Sequence, residues 1–503
     1  MSSEPEKQEQ WTSSVLLFCA MLQLLLVHIA YRVDRAKTVP YVSTATWAMA
    51  FGVALGGLLS LMSPQRASNE GLDPHVLSFA LLPPIVLEAG FNTQRKGFFS
   101  NFMAILLLAV VGTLIATLAT GGLLFWIGRV VSGMTQLSLP EAFLYGAILS
   151  AIDPVSTLVV LRKSHAPPLL YNLLFGESVL NDAVAIVLSG LFQQATLRPV
   201  AMTLGPAALQ IIFQLVGISI GSVLVAAVIC YASAFVLRHS DEALKQHPTY
   251  EISTLVLSAY GCYVAAQSLK LSGFLSVFFS GVFIRHYHMY SISHTSAAAF
   301  TQMLSTAAFL AENFIYLYLG ASLLAYTFCW NWIFISVSVG TIVVARAVNT
   351  FPLCAFANLF RAERIPWSYM VVIWFAGLRG SIAFALALNV CSPKDPTHAA
   401  VMRASALVTV ISTTVLFGGA TAPLLRLFGL TQPPLHPSAP SGESTPLLTL
   451  DIVTEQDVAM PSDAPVINAD RPPCRLSAHD VWVRFDESHL KPLFGGNPRD
   501  QFL

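Results

Sequence analysis

The sequence predicts an all-α polytopic membrane protein, and three observations carry that prediction. Apolar residues make up 55% of the 503-residue chain, charged residues only 11%, and mean hydropathy is +0.66. A soluble domain of ordinary composition is about a quarter charged. This chain lacks the polar side chains to cover a water-facing surface, so lipid is the solvent that fits most of it. Apolar runs of spanning length also recur along the chain, where one span needs about 20 mostly apolar residues. Thirteen segments qualify: 11–31, 40–62, 76–93, 101–128, 141–161, 170–197, 205–237, 249–269, 271–284, 301–328, 331–356, 367–390 and 404–425, the third and ninth being short.

Each remaining feature narrows the reading. The formal net charge is zero, so nothing points to nucleic acid. Seven cysteines form no C-x-x-C pair and mostly sit in apolar runs, so neither a disulfide framework nor a zinc site is expected, and no cofactor is implied. The first ten residues, MSSEPEKQEQ, are acidic. A cleaved signal prefers a basic start, so the first apolar run reads as a retained span.

Basic residues in the loops set the orientation. The loops after the odd-numbered spans carry twelve: Arg32, Arg35, Lys37, Arg95, Lys96, Arg162, Lys163, Arg238, Lys245, Arg285, Arg361 and Arg364. The opposite loops carry six: Arg66, Arg129, Arg198, Lys270, Lys394 and Arg403. The expected layout is a short non-cytosolic N-terminus at 1–10, a membrane domain at 11–430 and a cytosolic tail at 431–503. The tail holds 11 of the 29 prolines, with ten acidic and five basic residues, and reads as mostly disordered and regulatory. Within it Glu443-Ser444-Thr445-Pro446-Leu447-Leu448 resembles an acidic dileucine sorting signal.

Ionisable residues inside spans are costly and mark function by default. The deepest are Glu88, Asp153, Glu177, Asp182, Glu312, Arg346 and Arg379. In span 6, Ser178 and Asp182 stand four residues apart and share a helix face; Glu177 and Asn181 line the adjacent one. Oxygen ligands of this kind suit hard cations. In span 5, Pro154 follows Ser150-Ala151-Ile152-Asp153. It denies the Ser150 carbonyl its helical partner and pushes Asp153 out of helical geometry, so the helix is expected to break there. Loose backbone at bilayer depth survives only where it is buried or lines a wet cavity, and broken helices aimed at a midplane site recur in secondary transporters. In span 12, Gly377 and Gly380 flank Arg379, which predicts a second break. Arg379 stays charged and needs a carboxylate; Glu177 is the expected partner, in a structural ion pair that leaves Asp182 to bind and release ions.

Six stretches carry a resemblance: Leu81 to Ile85, Ser150 to Pro154, Phe175 to Ala183, Ser272 to Tyr287, Glu312 to Gly320 and Gly377 to Phe384. Together they resemble the electroneutral sodium/proton exchangers of eukaryotes, in family order across roughly 75–429. Glu88, and a tail segment Trp482 to Leu493 similar to that of endosomal members, lean towards the endosomal and Golgi branch. The resemblance implies a homodimer with an inverted-repeat antiporter fold and two crossed, unwound helices. It implies a cation- and proton-binding set of Asp182, Asn181, Ser178, Asp153 and the Ile152 position, with Asp182 and Asp153 facing the monovalent cation. Glu88, Glu312 and Arg346 are secondary candidates. Organellar relatives often have Thr where this chain has Ile152, which leaves Na⁺ against K⁺ open.

These residues point to competition at one carboxylate. A carboxylic acid starved of water holds its proton more tightly than one in bulk solvent, so it can trade a cation for a proton near neutral pH. Asn181 stands where a second Asp would allow two protons per cycle, so one-for-one, electroneutral exchange is expected, without enzyme chemistry. The expected partners are Na⁺ or K⁺, H⁺, membrane lipid, a second copy of the chain and cytosolic regulators of the tail. A cation channel and a non-transporting ion sensor are the alternatives; voltage-following currents and an absence of flux would mark them. An intramembrane hydrolase is a weaker rival. Its one motif, Gly217-Ile218-Ser219-Ile220-Gly221, lies in a long apolar run without the strand-turn-helix setting of a nucleophile elbow.

Overall fold

Apolar length becomes helix along the chain. The computed structural model describes residues 4–35, 44–62, 77–93, 101–152, 161, 166–197, 204–240, 242–325, 329–361, 364–390, 392, 395–430, 490 and 493; among them there is helix and no strand. The helices are α1 (Glu4–Arg35), α2 (Thr44–Met62), α3 (Leu82–Phe91), α4 (Phe102–Val130), α5 (Leu139–Ser150), α6 (Pro168–Leu197) and α7 (Leu204–His239). They continue as α8 (Pro248–Ser268), α9 (Gly273–Tyr287), α10 (His294–Ala325), α11 (Trp332–Ala357), α12 (Trp367–Phe375), α13 (Ser381–Leu388) and α14 (Pro396–Leu427). A π turn at Leu77–Leu81 leads into α3, and another at Leu107–Val111 interrupts α4.

Among the described residues seven helices are long and apolar enough to cross a membrane, in α2, α4, α6, α7, α10, α11 and α14. The count of thirteen spans therefore rests on the sequence reading alone. The first helix begins at Glu4, inside the stretch assigned to the N-terminus. Nearly all of the tail, including the Glu443–Leu448 and Trp482 segments, lies outside the described residues.

The helices pack as two groups. In one, α1, α2, α3, α8 and α10 lie together, with α7 and α9 packed on α8 and α3. In the other, α4, α5, α6, α11, α12, α13 and α14 lie together. The first group closes through glycine. On α2, a Cβ at Gly52 would stand 2.1 Å from the Leu317 carbonyl oxygen, and one at Gly56 2.3 Å from that of Ala321, both on α10. Only a residue without a side chain lets the two backbones approach so closely. The G-x-S-x-G motif lies inside α7: Gly217 faces open space, and only Gly221 packs, against Leu271. Leu271 belongs to the connection between α8 and α9, so packing of one helix on another does not account for the motif.

Candidate ion-exchange site

Both expected breaks occur. Helix α5 stops at Ser150, and Ala151 leaves with an extended ψ of 129°, as the proline at 154 dictates. Span 5 is therefore not one helix over 141–161. Asp153, which should stand beside this break, lies outside the described residues, whereas Ile152 is buried and out of the helix. The second break runs between α12 and α13, where residues 376–380 leave helical geometry. Gly377 packs closely there: a Cβ would stand 3.2 Å from Nε of Arg346.

Helix α6 supplies the acids. Glu177, Ser178 and Asn181 are buried, and Asp182 is half-buried. Ser178 donates to the Phe175 carbonyl at 3.5 Å, so it is held on its own turn. Asn181 is fully buried, yet neither its amide oxygen nor its nitrogen finds a partner within the protein. A buried amide with no hydrogen bond costs on the order of 1–3 kcal/mol. In a native core such a group normally serves a ligand or water.

The expected pairing of Glu177 with Arg379 is wrong. Arg346 of α11 takes Glu177, with Nη1 2.5 Å from Oε1 and Nη2 3.1 Å from Oε2. Its Nη2 also donates to the Ile373 carbonyl at 3.0 Å, in the last turn of α12. This is the planar fork-to-fork geometry that a guanidinium offers a carboxylate. Arg346, a secondary candidate in the sequence, is thus the structural partner. Arg379 goes to the other break: its Nη1 donates to the carbonyls of Ser150 at 3.1 Å and Ala151 at 3.3 Å. The carbonyl set free by Pro154 is therefore held by Arg379 instead of being left for a cation. The physical reason is the helix dipole, whose negative end at the α5 C-terminus attracts a buried cation. Arg379 remains close enough to feel the charges of Arg346, Glu177 and Asp182.

Glu88 and Glu312 lie elsewhere. Glu88 on α3 accepts from Asn92 at 2.9 Å and from Ser305 of α10 at 3.3 Å, inside the first helix group. Glu312 sits half-buried on α10.

Three features escaped the sequence reading. Glu141, buried at the start of α5, accepts from Ser138 and Ser392 and stands 3.1 Å from His398. The spacing Ser138-x-x-Glu141 before an apolar run is a capping-box signature and could have found it. Asn349 on α11 is buried, with both amide atoms unpartnered, against Gly112 just past the π turn of α4. Tyr145, buried in α5, donates to Ser405 at 2.6 Å. No sequence signal separates Asn349 or Tyr145 from other polar residues in apolar helices.

The family model described as "Sodium/hydrogen exchanger, transmembrane" matches residues 22–427. The chain is 30% identical over 445 residues to sodium/hydrogen exchanger 8 of Homo sapiens, covering 86% of this chain and 75% of that one. It is 31% identical over 525 residues to sodium/hydrogen exchanger 4 of Arabidopsis thaliana, covering 97% and 95%. The sodium proton antiporter MjNhaP1 of Methanocaldococcus jannaschii superposes with a TM-score of 0.63 at 17% identity, over 83% of this chain and 99% of that one. That likeness shows the fold.

Proposed function

The chain belongs to the sodium/hydrogen exchanger family, and on that premise we propose that Asp182 is the group that carries either a cation or a proton across the membrane. The protein is a multi-pass secondary transporter that exchanges Na⁺ for H⁺. The observation that carries the assignment is the buried, unpartnered amide of Asn181 next to Asp182, on a helix whose Glu177 is paired to Arg346 through both oxygens. Asp182 stands one turn from Ser178 and next in sequence to Asn181, and their oxygens are the ligands proposed to join it. Asp153 and the backbone at Ile152 complete the proposed set from the first break.

The cycle follows from charge. With a cation bound, Asp182 is ionised and the Asn181 amide oxygen and Ser178 hydroxyl replace lost water. With the cation gone, a proton neutralises the acid, so that neither loaded state carries an unpaired charge through a low-dielectric layer. One carboxylate yields one proton per cation. Arg379 keeps the negative end of α5 neutralised in both states, so the site charge changes only at Asp182. The group of α4–α6 and α11–α14 would move as a body against the other helices.

K⁺ as an alternative cargo, a homodimer in lipid, an endosomal or Golgi membrane, and a cytosolic regulatory tail at 431–503 after a membrane domain at 11–430 belong to the same proposal. Glu88 and the tail segment from Trp482 to Leu493 support the organellar reading by their resemblance to that branch. The test uses purified protein in liposomes with an internal pH dye, adding Na⁺, K⁺ and Li⁺ in turn. Cation-driven alkalinisation by the natural protein and none by Asp182→Asn is expected. Full exchange by Asp182→Asn would overturn the assignment.

A further inference from the structure

On the premise that exchange occurs at the broken helices, we propose that three polar rungs between α5 and α14 are a positioning element of the exchange site, with Tyr145 the central positioning residue. The first rung joins the helix starts. Glu141 Oε2 lies 3.1 Å from Nδ1 of His398, and the same carboxylate accepts from the Ser138 N–H at 2.8 Å and from Ser392 Oγ at 2.5 Å. The second rung is the Tyr145 hydroxyl, which donates to Ser405 Oγ at 2.6 Å with the Ser338 and Thr409 hydroxyls beside it. The third lies at the break. The Arg379 N–H donates to Thr413 Oγ1 at 3.1 Å, while the Arg379 side chain reaches the Ser150 and Ala151 carbonyls.

Helical spacing makes these one device. His398, Ser405, Thr409 and Thr413 follow one another at seven, four and four residues, which puts them on a single face of α14. Glu141 and Tyr145 are four apart on α5. Because α5 ends at Ser150 and Ala151 turns out of helical geometry, the helix direction is not carried straight through this point. Its last carbonyls are held by Arg379, whose backbone in turn hangs on Thr413. A shift of α14 along α5 therefore moves the guanidinium against the carbonyls it neutralises. Tyr145 and Ser405 sit midway and resist that shift. The middle rung is also adjustable: the fully buried Thr409 hydroxyl stands beside Tyr145 without completing a hydrogen bond of good geometry, so a second bonding pattern lies within reach of a small rotation.

The test separates positioning from simple adhesion. Tyr145→Phe keeps the ring and removes the hydroxyl; Ser405→Ala removes its partner; Ser405→Thr keeps a hydroxyl. In proteoliposomes, Tyr145→Phe and Ser405→Ala are each expected to raise KM for Na⁺ by roughly three- to tenfold, about the worth of one hydrogen bond. The maximal rate should change far less, the double variant should be no worse than either single one, and Ser405→Thr should stay near the natural KM. KM within about twofold of the natural value in both variants would overturn the proposal (a tenfold change corresponds to 1.4 kcal/mol). Failure of both to accumulate in the membrane would assign the rungs to folding and overturn it as well. Asp182→Asn, assayed alongside, tells the two claims apart: active Asp182→Asn sinks the exchange site itself, whereas inactive Asp182→Asn with an unshifted Tyr145→Phe sinks only the rungs.

Discussion

The two helix groups share one packing device, glycine, and differ in the polar atoms they bury. Around α2 and α10, backbones meet directly through Gly52, Gly56 and Gly320, and buried acids sit at helix ends with partners supplied: Glu251 takes the N–H and hydroxyl of Ser293. The group of α4–α6 and α11–α14 has a glycine seam of its own, between Gly121 of α4 and Gly146 of α5, but its helices also meet through charged and amide side chains, and most of the buried polar atoms without a protein partner lie there among the described residues, including those of Asn181, Asn349 and Thr350. Close backbone packing in lipid gives rigidity at no polar cost. Polar packing with atoms left over costs free energy that only a ligand, water or rearrangement can return. The difference marks the group of α4–α6 and α11–α14 as the one with buried polar atoms to offer a ligand.

The largest expected effect comes from cutting the polar group at its ion pair. Glu177→Gln strands Arg346 and should destabilise the protein by about 3–5 kcal/mol, read as a collapse of the thermal midpoint in detergent. Adding Arg346→Met to Glu177→Gln should recover much of that loss, and adding Arg379→Met should not. The reverse result would restore the Glu177–Arg379 pairing. Next comes the glycine seam. Gly52→Leu must push α2 from α10, at about 1–3 kcal/mol or more, whereas Gly57→Ala, with the nearest atom a Leu324 methyl at 3.5 Å, should be silent in the same assay. Equal effects of the two would remove the seam from the account.

Smaller effects sharpen the edges. Lys270 holds a left-handed φ of 58° between α8 and α9, so Lys270→Gly should stabilise by up to about 1 kcal/mol; a lower midpoint would contradict the strain. The smallest is pH-dependent. Asp395 caps α14, accepting from the Thr397 hydroxyl and N–H at 2.7 and 2.9 Å. These bonds hold its carboxyl below the ordinary value of 3.8. The folded state thus favours the ionised form, so the contribution is present above the unfolded value and fades as pH falls through the folded one. The small midpoint loss in Asp395→Ala should be visible at neutral pH and vanish in strong acid. A loss that persists unchanged in acid would rule out the carboxylate as its source.

What could be read in the sequence follows from the range of each force. Helices were legible because apolar length is local, and both breaks were legible because Pro154, Gly377 and Gly380 act on their own backbone. The acids of α6 were legible because a charge in an apolar run is conspicuous. The pairing was not. Glu177 and Arg346 are 169 residues apart, and nothing in either run fixes which of two arginines turns towards α6. The role of Arg379 was half legible: a helix expected to end beside Pro154 needs a cation at its negative end, but that demand competes with the demand of Arg379 for a carboxylate, and only the fold decides between them. Tyr145 and Asn349 gave no signal, since a single polar residue in a membrane helix has many ordinary uses.

The central claim is that Asp182 holds a cation or a proton but never both. Purified protein in weakly buffered detergent solution, titrated with Na⁺ while the solution pH is followed, tests it directly. The account predicts release of about one proton for each cation bound and no release from Asp182→Asn. Cation binding without proton release, or release that survives Asp182→Asn, would contradict it.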